Sequence, residues 1–366
     1  MNKIILIIIM IASVITGCNE VEEIAIEEKT QKVNYIFTEN YIDELMEDIL
    51  FEKRVLVELK NEEKNEEKNK IEIVDLFDNK RPLAIMIDNH FMARPQSGLS
   101  QAKIIYEILA EGPITRYMMI VDQDINDDIG PIRSARPYFL SFAMEYDSLY
   151  VHVGGSEEAK SLIKSYDIDS LNGMKAGFDV FWRITQKKIP HNMYSSSEAL
   201  IKDADRLRYE KETDDFSPIK MYNQFVPLDG ETKADELSIT YKKPSTSDAD
   251  GYVVKYKYDY SIHIYERYVN SNRQTDESNG KDINIENIII QKIKHRVIDN
   301  EGRRSLDMIG EGNGYYISGG KMMEINWVKK SFDSQTHYYI NDEEIIFNPG
   351  RIFIQVVDDF NQLDII

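Results

Sequence analysis

Arg81-Pro-Leu-Ala-Ile-Met-Ile-Asp-Asn-His90 holds an unbroken apolar run from Leu83 to Ile87 that ends abruptly on Asp88, Asn89 and His90. A short apolar run bounded by polar residues is the pattern of a strand buried on both faces. A loop with Pro95 and Gly98 follows, and the apolar spacing from Gln101 to Ala110 predicts a helix. Ile114 to Val121 returns as strand, and the loop Asp122 to Pro131 leads to a helix over Tyr138 to Tyr146. Leu149 to Val153 reads as strand and Gly154-Gly155 as a turn. Ser156 to Tyr166 reads as a helix capped by Ser156, and Ser195 to Tyr209 as another. This alternation predicts an α/β N-terminal domain over 71–226, a mixed sheet with helices.

Beyond Pro227 the texture changes. Tyr252 to Val269 alternates as strands do, with Tyr256, Tyr258 and Tyr260 on one face. Ile285–Ile298, Gly314–Ser318, Met322–Val328, His337–Ile346 and Arg351–Val357 read as further strands, with Asn341-Asp342 as a hairpin turn. A mainly β C-terminal domain over 251–366 is therefore expected, α+β overall. Residues 227–250, with Pro244-Ser-Thr-Ser-Asp, read as a connector that can be cut to leave two protease-resistant pieces.

Before residue 71 the chain has a different character. Lys3 precedes an apolar stretch, Ile4 to Ile15, that closes on Ile15-Thr-Gly-Cys18. A charged start, a short apolar segment and small residues at the cut are the layout of a secretory signal. Residues 1–17 are thus expected as a signal peptide. Cys18, the only cysteine, stands where the lipobox of bacterial lipoproteins carries its acylated residue. Residues 18–70 are polar and acidic, end in an Asn/Glu/Lys run, and read as a tether with a marginal amphipathic helix over 41–59. An acylated Cys18 leaves no thiol for catalysis, disulfides or zinc. The net charge of −20 and a pI near 4.8 argue against nucleic-acid binding. They also leave membrane attachment to the lipid anchor.

Charged and imidazole residues gather where the expected strands end. Asp88, Asn89 and His90 close the first strand, Arg94 lies in the loop behind it, and Arg116 sits in the second strand. Gly130-Pro-Ile-Arg-Ser-Ala-Arg136 brings Arg133, Ser134 and Arg136 to a helix start, and His152 and Ser156 flank the next strand end. Arg183, His191 and Asn192 complete the set. Ligands of α/β sheets bind outside the carboxyl ends of strands. These residues are therefore the candidate cleft for an anion, with Arg133 and Arg136 as guanidinium donors. The bland alternative pairs the arginines with Glu107, Glu111 and Glu145 and leaves the histidines in packing.

Residues 81–90, Ala93-Arg-Pro-Gln-Ser-Gly-Leu99, Tyr106-Glu107, Glu111-Gly112, Ile114-Thr-Arg116, Gly130–Arg136, Leu171-Asn-Gly173 and Pro190-His-Asn192 resemble the YerB-like lipoprotein family of Gram-positive bacteria. The resemblance continues in Tyr265-Glu-Arg267, Asn287, His295-Arg-Val-Ile-Asp299, Gly302-Arg-Arg304 and Ile325-Asn-Trp327. Asn348-Pro-Gly-Arg-Ile-Phe-Ile-Gln-Val-Val357 is similar to the family's Pro-Gly-Lys-Thr-Trp-Ile closing strand, with Phe353 in place of the tryptophan. The resemblance implies a two-domain, extracytoplasmic, lipid-anchored protein and brings no reaction, cofactor or substrate.

Sharper chemical signals fail on inspection. Asp122-Gln-Asp-Ile-Asn-Asp-Asp128 starts like a calcium loop, but Asp127 and Arg133 stand where glycine and glutamate are needed. His90, His152 and His191 lack metal-ligand spacing, and no Gly-x-Ser-x-Gly elbow surrounds Ser134 or Ser156. Gly310-Glu-Gly312-Asn-Gly314 stands in β-rich sequence with no helix behind it, unlike a dinucleotide fingerprint. No metal or other cofactor is expected. The leading expectation is a non-catalytic binding or accessory protein at the cell membrane, taking an envelope ligand or a protein partner. The alternatives are an envelope hydrolase or transferase using Asp88 or His191, and a structural scaffold.

Overall fold

Leu83 to Asp88 forms β1, in which all six residues are buried. Leu83, Ile85 and Ile87 enter one apolar core, and Ala84 and Met86 the other. The computed structural model describes Lys53 and residues 70–366, except 126–127, 214–218, 231, 244 and 246–250. The signal segment, Cys18, the tether and the 41–59 helix expectation lie outside the described residues, save Lys53 and Lys70.

Next come β2 (Ile104–Glu111) and β3 (Ile114–Val121), an antiparallel hairpin turned at Gly112 with φ +54°. This corrects the helix expected over Gln101–Ala110. Ile105 and Leu109 face one core, while Ile104, Tyr106 and Ile108 face the other. A strand buried on both sides loses its polar alternation, and its apolar residues then match helical spacing by chance.

The helices α1 (Pro137–Met144), α2 (Glu157–Ser165) and α3 (Ser197–Leu207) stand where the spacing predicts them. Strands β4 (Leu149–His152) and β5 (Ser170–Asn172) flank α2. The Ser156 hydroxyl accepts from Ala159 N, and Ser196 caps α3 in the same way.

The β-rich half contributes β6 (Glu236–Lys242), β7 (Tyr252–Asp259), β8 (Ile264–Val269) and β9 (Asn287–Lys292). It continues through β10 (Gly310–Ser318), β11 (Lys321–Lys329), β12 (Thr336–Ile340), β13 (Ile352–Val357) and β14 (Leu363–Ile365). Asn341 and Asp342 turn the hairpin after β12 with φ +49° and +69°. Tyr256 is buried, but Tyr260 lies past the end of β7 and is exposed.

One twelve-stranded sheet runs in the order Glu343–Glu344, β12, β11, β10, β9, β13, β2, β3, β1, β4, β5, with Thr232–Lys233 against β11. Strand β13 is parallel to both neighbours, β9 and β2. The second sheet holds β8, β7, β6 and β14, with Asn272–Arg273 and Asn284–Ile285 at β8. Its Leu237, Ile239, Val254 and Tyr256 share a core with α3 and one face of the large sheet. On the other face Phe139, Phe142 and Ala159 of α1 and α2 pack on Met86, Met118 and Ile354.

The expected connector, 227–250, is corrected in its described part, since it carries Thr232–Lys233 and β6. The α/β half and the mainly β half complete one sheet, and residues 71–366 form a single compact unit. Arg267 of β8 and Glu107 of β2, both fully buried, join the two sheets at 2.7 Å. Phe353 holds the face of the Arg267 guanidinium at 4.5 Å, so an aromatic ring serves there without the indole. A second buried pair, Lys329–Glu145 at 2.6 Å, ties β11 to the end of α1.

Candidate functional site

Asp88 is the last residue of β1, and His152 the last of β4, a parallel neighbour. The Gly130–Arg136 segment straps across both strand ends. Its backbone is fixed by Asp88 N to Pro131 O (2.8 Å), Arg133 N to Met86 O (2.8 Å), Val153 N to Arg133 O (2.9 Å) and Ala135 N to Gly154 O (3.0 Å). This places Arg133 beside Asp88, with Nε 3.0 Å from Oδ2. That Nε makes no hydrogen bond, so the contact is Coulombic.

His191 Nδ1 reaches the same Oδ2 at 2.7 Å, and His90 N donates to Oδ1 at 3.0 Å. The His90 and His191 rings stack, 4.3 Å apart and 12° from parallel. Because His90 Nδ1 accepts from Met92 N, its neutral ring carries the proton on Nε2. Burial, then the neighbouring His191, Arg133 and Arg94, hold His90 below the usual imidazole pKa, with Asp88 opposing. In neutral His191, Nδ1 donates to Asp88, which leaves Nε2 as an acceptor.

A second cluster adjoins the first. Arg116 Nη2 lies 3.0 Å from Glu111 Oε2, and Arg136 Nη2 bonds Glu111 Oε1. Arg116 Nη1 donates to Ser134 O at 2.7 Å, and Arg136 Nη1 to Ser134 Oγ at 3.2 Å and Ala135 O at 2.8 Å. Burial would raise the Glu111 pKa, but Arg116 and Arg136 outweigh it and hold the carboxyl low. Two of the three guanidiniums are thus consumed internally. Arg133 differs, for neither of its Nη groups has a hydrogen-bond partner among the described residues, and its side chain is 27 % exposed.

The remaining candidates separate from this group. Asn89 and Arg94 belong to the buried Glu107 network. Asn89 Nδ2 donates to Thr115 Oγ1 and Tyr252 Oη, and Arg94 binds Asn89 and covers the Tyr252 ring. Ser156 is spent as a helix cap. Arg183 and Asn192 close their own hairpin through Nη1 to Oδ1 at 2.7 Å. His152, 1 % exposed, binds Gly154 O through Nδ1 at 2.6 Å, and burial lowers its pKa. Among the described residues its buried Nε2 has no hydrogen-bond partner, nor has Tyr150 Oη two positions earlier. Sequence marks Glu111 as a pairing acid at the end of a strand, whereas the signal for Tyr150 is its place inside the strand that ends on His152.

Among the described residues no group of three or more His, Cys, Asp or Glu side chains is placed to hold a metal ion. An open groove of about 610 Å³ lies at Lys292–Lys294, Gly310–Asn313, Trp327 and Phe360, and contains none of the cluster residues. The Asp88 group can hold an acceptor at Arg133 and present two stacked imidazoles beside it. Three guanidiniums against two carboxylates leave it one positive charge in an acidic protein.

Comparison with known proteins concerns the chain as a whole. Residues 71–210 match the model described as "Protein of unknown function (DUF3048) N-terminal domain", and 244–354 match the C-terminal domain of the same family. A Bacillus subtilis (strain 168) protein named "Putative lipoprotein YerB" is 32% identical over 286 residues, covering 78% of this chain and 84% of that one. The crystal structure of the YerB protein from Bacillus subtilis aligns with a TM-score of 0.69 at 32% identity, covering 78% of this chain and 94% of that chain. Sequence and fold agree on the assignment, and the chain belongs to the two-domain DUF3048 family that includes YerB.

Proposed function

We propose that this chain is a lipoprotein acylated at Cys18, held on the outer face of the cell membrane, and that its folded part binds an anionic group of the envelope at Arg133. A carboxylate, a phosphate or a sugar acid fits the donors, and the role is that of a binding or accessory protein, not a catalyst. The observation that carries this reading is the free Nη pair of Arg133 at the carboxyl ends of β1 and β4, while Arg116 and Arg136 are taken up by Glu111. The relative's name as a lipoprotein supports the anchor. Field strength at the site is set by the adjacent donors, because charges beyond ~8 Å are largely screened at physiological salt. Replacing Arg133 with Ala is expected to weaken anion binding in calorimetry by ~1.5–3 kcal/mol for a charge-assisted bond. Unchanged affinity would remove the proposal.

A second reading rests on the His191–Asp88 contact at 2.7 Å, which orients an imidazole with Nε2 free to take a proton. Ser134 Oγ accepts from Arg136 Nη1 and makes no hydrogen bond to His191 among the described residues, so this reading has the dyad act on a water molecule. Turnover of an envelope ester or amide that disappears in His191→Gln would favour this envelope hydrolase or transferase.

A further inference from the structure

Three loops at this edge of the sheet display large apolar side chains to solvent. Phe91 is 70% exposed and Met92 36%, Met174 69% and Phe178 97%, and Ile189 68%. Scattered exposed apolar residues are ordinary in soluble proteins. Here Phe91, Met92 and Ile189 adjoin His90 and His191 of the anion site along the chain, and Met174 stands against Gly154, whose carbonyl accepts from Ala135 of the strap.

Phe91 and Met92 follow His90 directly, with the Phe91 ring 4.3 Å from the imidazole and Met92 N bonded to His90 Nδ1. Met174 stands against Gly154, where an added Cβ would lie 3.6 Å from its Cγ. Phe178 tops a turn whose Val180 and Phe181 are buried, and Gly173 leaves the room that Phe181 fills. Ile189 precedes Pro190 and His191, in a turn closed by His191 N to Lys188 O at 2.8 Å. The turns are packed from beneath while the apolar tips point outward. Exposed Lys175 lies on the loop that carries Met174 and Phe178. A polar, cationic centre with an apolar rim is the complement of an amphipathic anion.

We infer that the anion taken by Arg133 is the phosphate of a membrane lipid, with the apolar loop tips entering the outer leaflet around it. This deepens the proposed function and rests on its anion site. From Cys18 to Lys70 an extended chain spans at most on the order of 180 Å, so the tether does not prevent this edge from turning to the bilayer. Aliphatic and aromatic tips favour the interface and the guanidinium favours the phosphate, so each strengthens the other on a lipid surface.

The test uses residues 18–366 with Cys18→Ser, so that no acyl chain anchors the protein. Binding is measured by flotation with vesicles of equal parts phosphatidylglycerol and phosphatidylcholine, with vesicles of phosphatidylcholine alone, and by calorimetry with soluble glycerol phosphate. The expected result is flotation with the phosphatidylglycerol vesicles. Met174→Ser with Ile189→Ser should reduce it ~tenfold, equivalent to 1.4 kcal/mol, and leave glycerol phosphate affinity unchanged. Both replaced residues are exposed, and circular dichroism checks that the fold is kept. Arg133→Ala should lose both kinds of binding. If the double variant floats as the parent does, or if glycerol phosphate binds as tightly as the vesicles, the lipid assignment is overturned and the anion site stands. If the parent binds neither probe, the lipid assignment and the anion site are overturned together.

Discussion

Asp88 receives His191, Arg133 and the backbone of His90, and this convergence holds two imidazoles and a guanidinium within one residue's reach. Arg133 keeps its Nη groups without hydrogen-bond partners among the described residues, whereas Arg136 is taken up by Glu111, Ser134 and Ala135. His295 shows how burial dominates the tuning of a titrating group. It is 7 % exposed, neither ring nitrogen has a partner among the described residues, and burial lowers its pKa from 6.5 to about 4, against Asp358 and with Arg304. The unfolded chain therefore takes up this proton before the folded one does. Stability tied to His295 is full above pH 6.5 and declines as the pH falls towards about 4, by roughly 1.4 kcal/mol per unit. Urea midpoints of His295→Leu should fall less than those of the parent across that window, and parallel curves would contradict it.

At the scale of elements, β2 teaches the most. Its residues carry helical spacing, yet β13 pairs with it on one side and β3 on the other. Only that double pairing, with apolar layers above and below, makes it a strand. Glu107 sits in its middle and accepts from Arg267, Gln355, Thr115 and Tyr252, so a central strand of the large sheet is locked to β8 of the small one. Breaking a buried pair leaves the other charge without solvent or partner. Arg267→Met is expected to destabilise the fold by ~3–5 kcal/mol in chemical denaturation. Adding Glu107→Gln should recover part of that loss, because the orphaned carboxylate is removed. A double variant as unstable as the sum of the two singles would show the pair to be energetically uncoupled.

For the whole molecule, the decisive feature is that β13 lies between β9 and β2, parallel to both. The α/β half lacks a central neighbour without it, and β6 to β8 cover the apolar face that Ile85, Ile105 and Met119 present. The two protease-resistant pieces expected from a cut within 227–250 are replaced by a different expectation. Residues 71–226 and 227–366 expressed separately should show little native circular dichroism and rapid proteolysis. Mixing them should restore both the spectrum and the resistance. Two independently folded fragments would mean that the shared sheet adds little to either core.

The sequence by itself determined the local events, including β1, β3, β4, the three helices, the Ser156 cap and the turn at Asn341-Asp342. Each depends on residues within a few positions of one another, through periodicity, capping and backbone preference. It also marked Asp88, His90, Arg133 and His191 as polar residues waiting at strand ends. Only the tertiary structure decided which of the marked residues meet. Asp88 and His191 are separated by 103 positions, and Glu107 and Arg267 by 160. Such pairings follow from the order of strands in the sheet, which no local window contains. The same order turned a helical pattern into β2, gave Arg94 and Asn89 to the core, and left Arg133 free. Sequence supplied the charges, and the non-local packing that closes the sheet chose their partners.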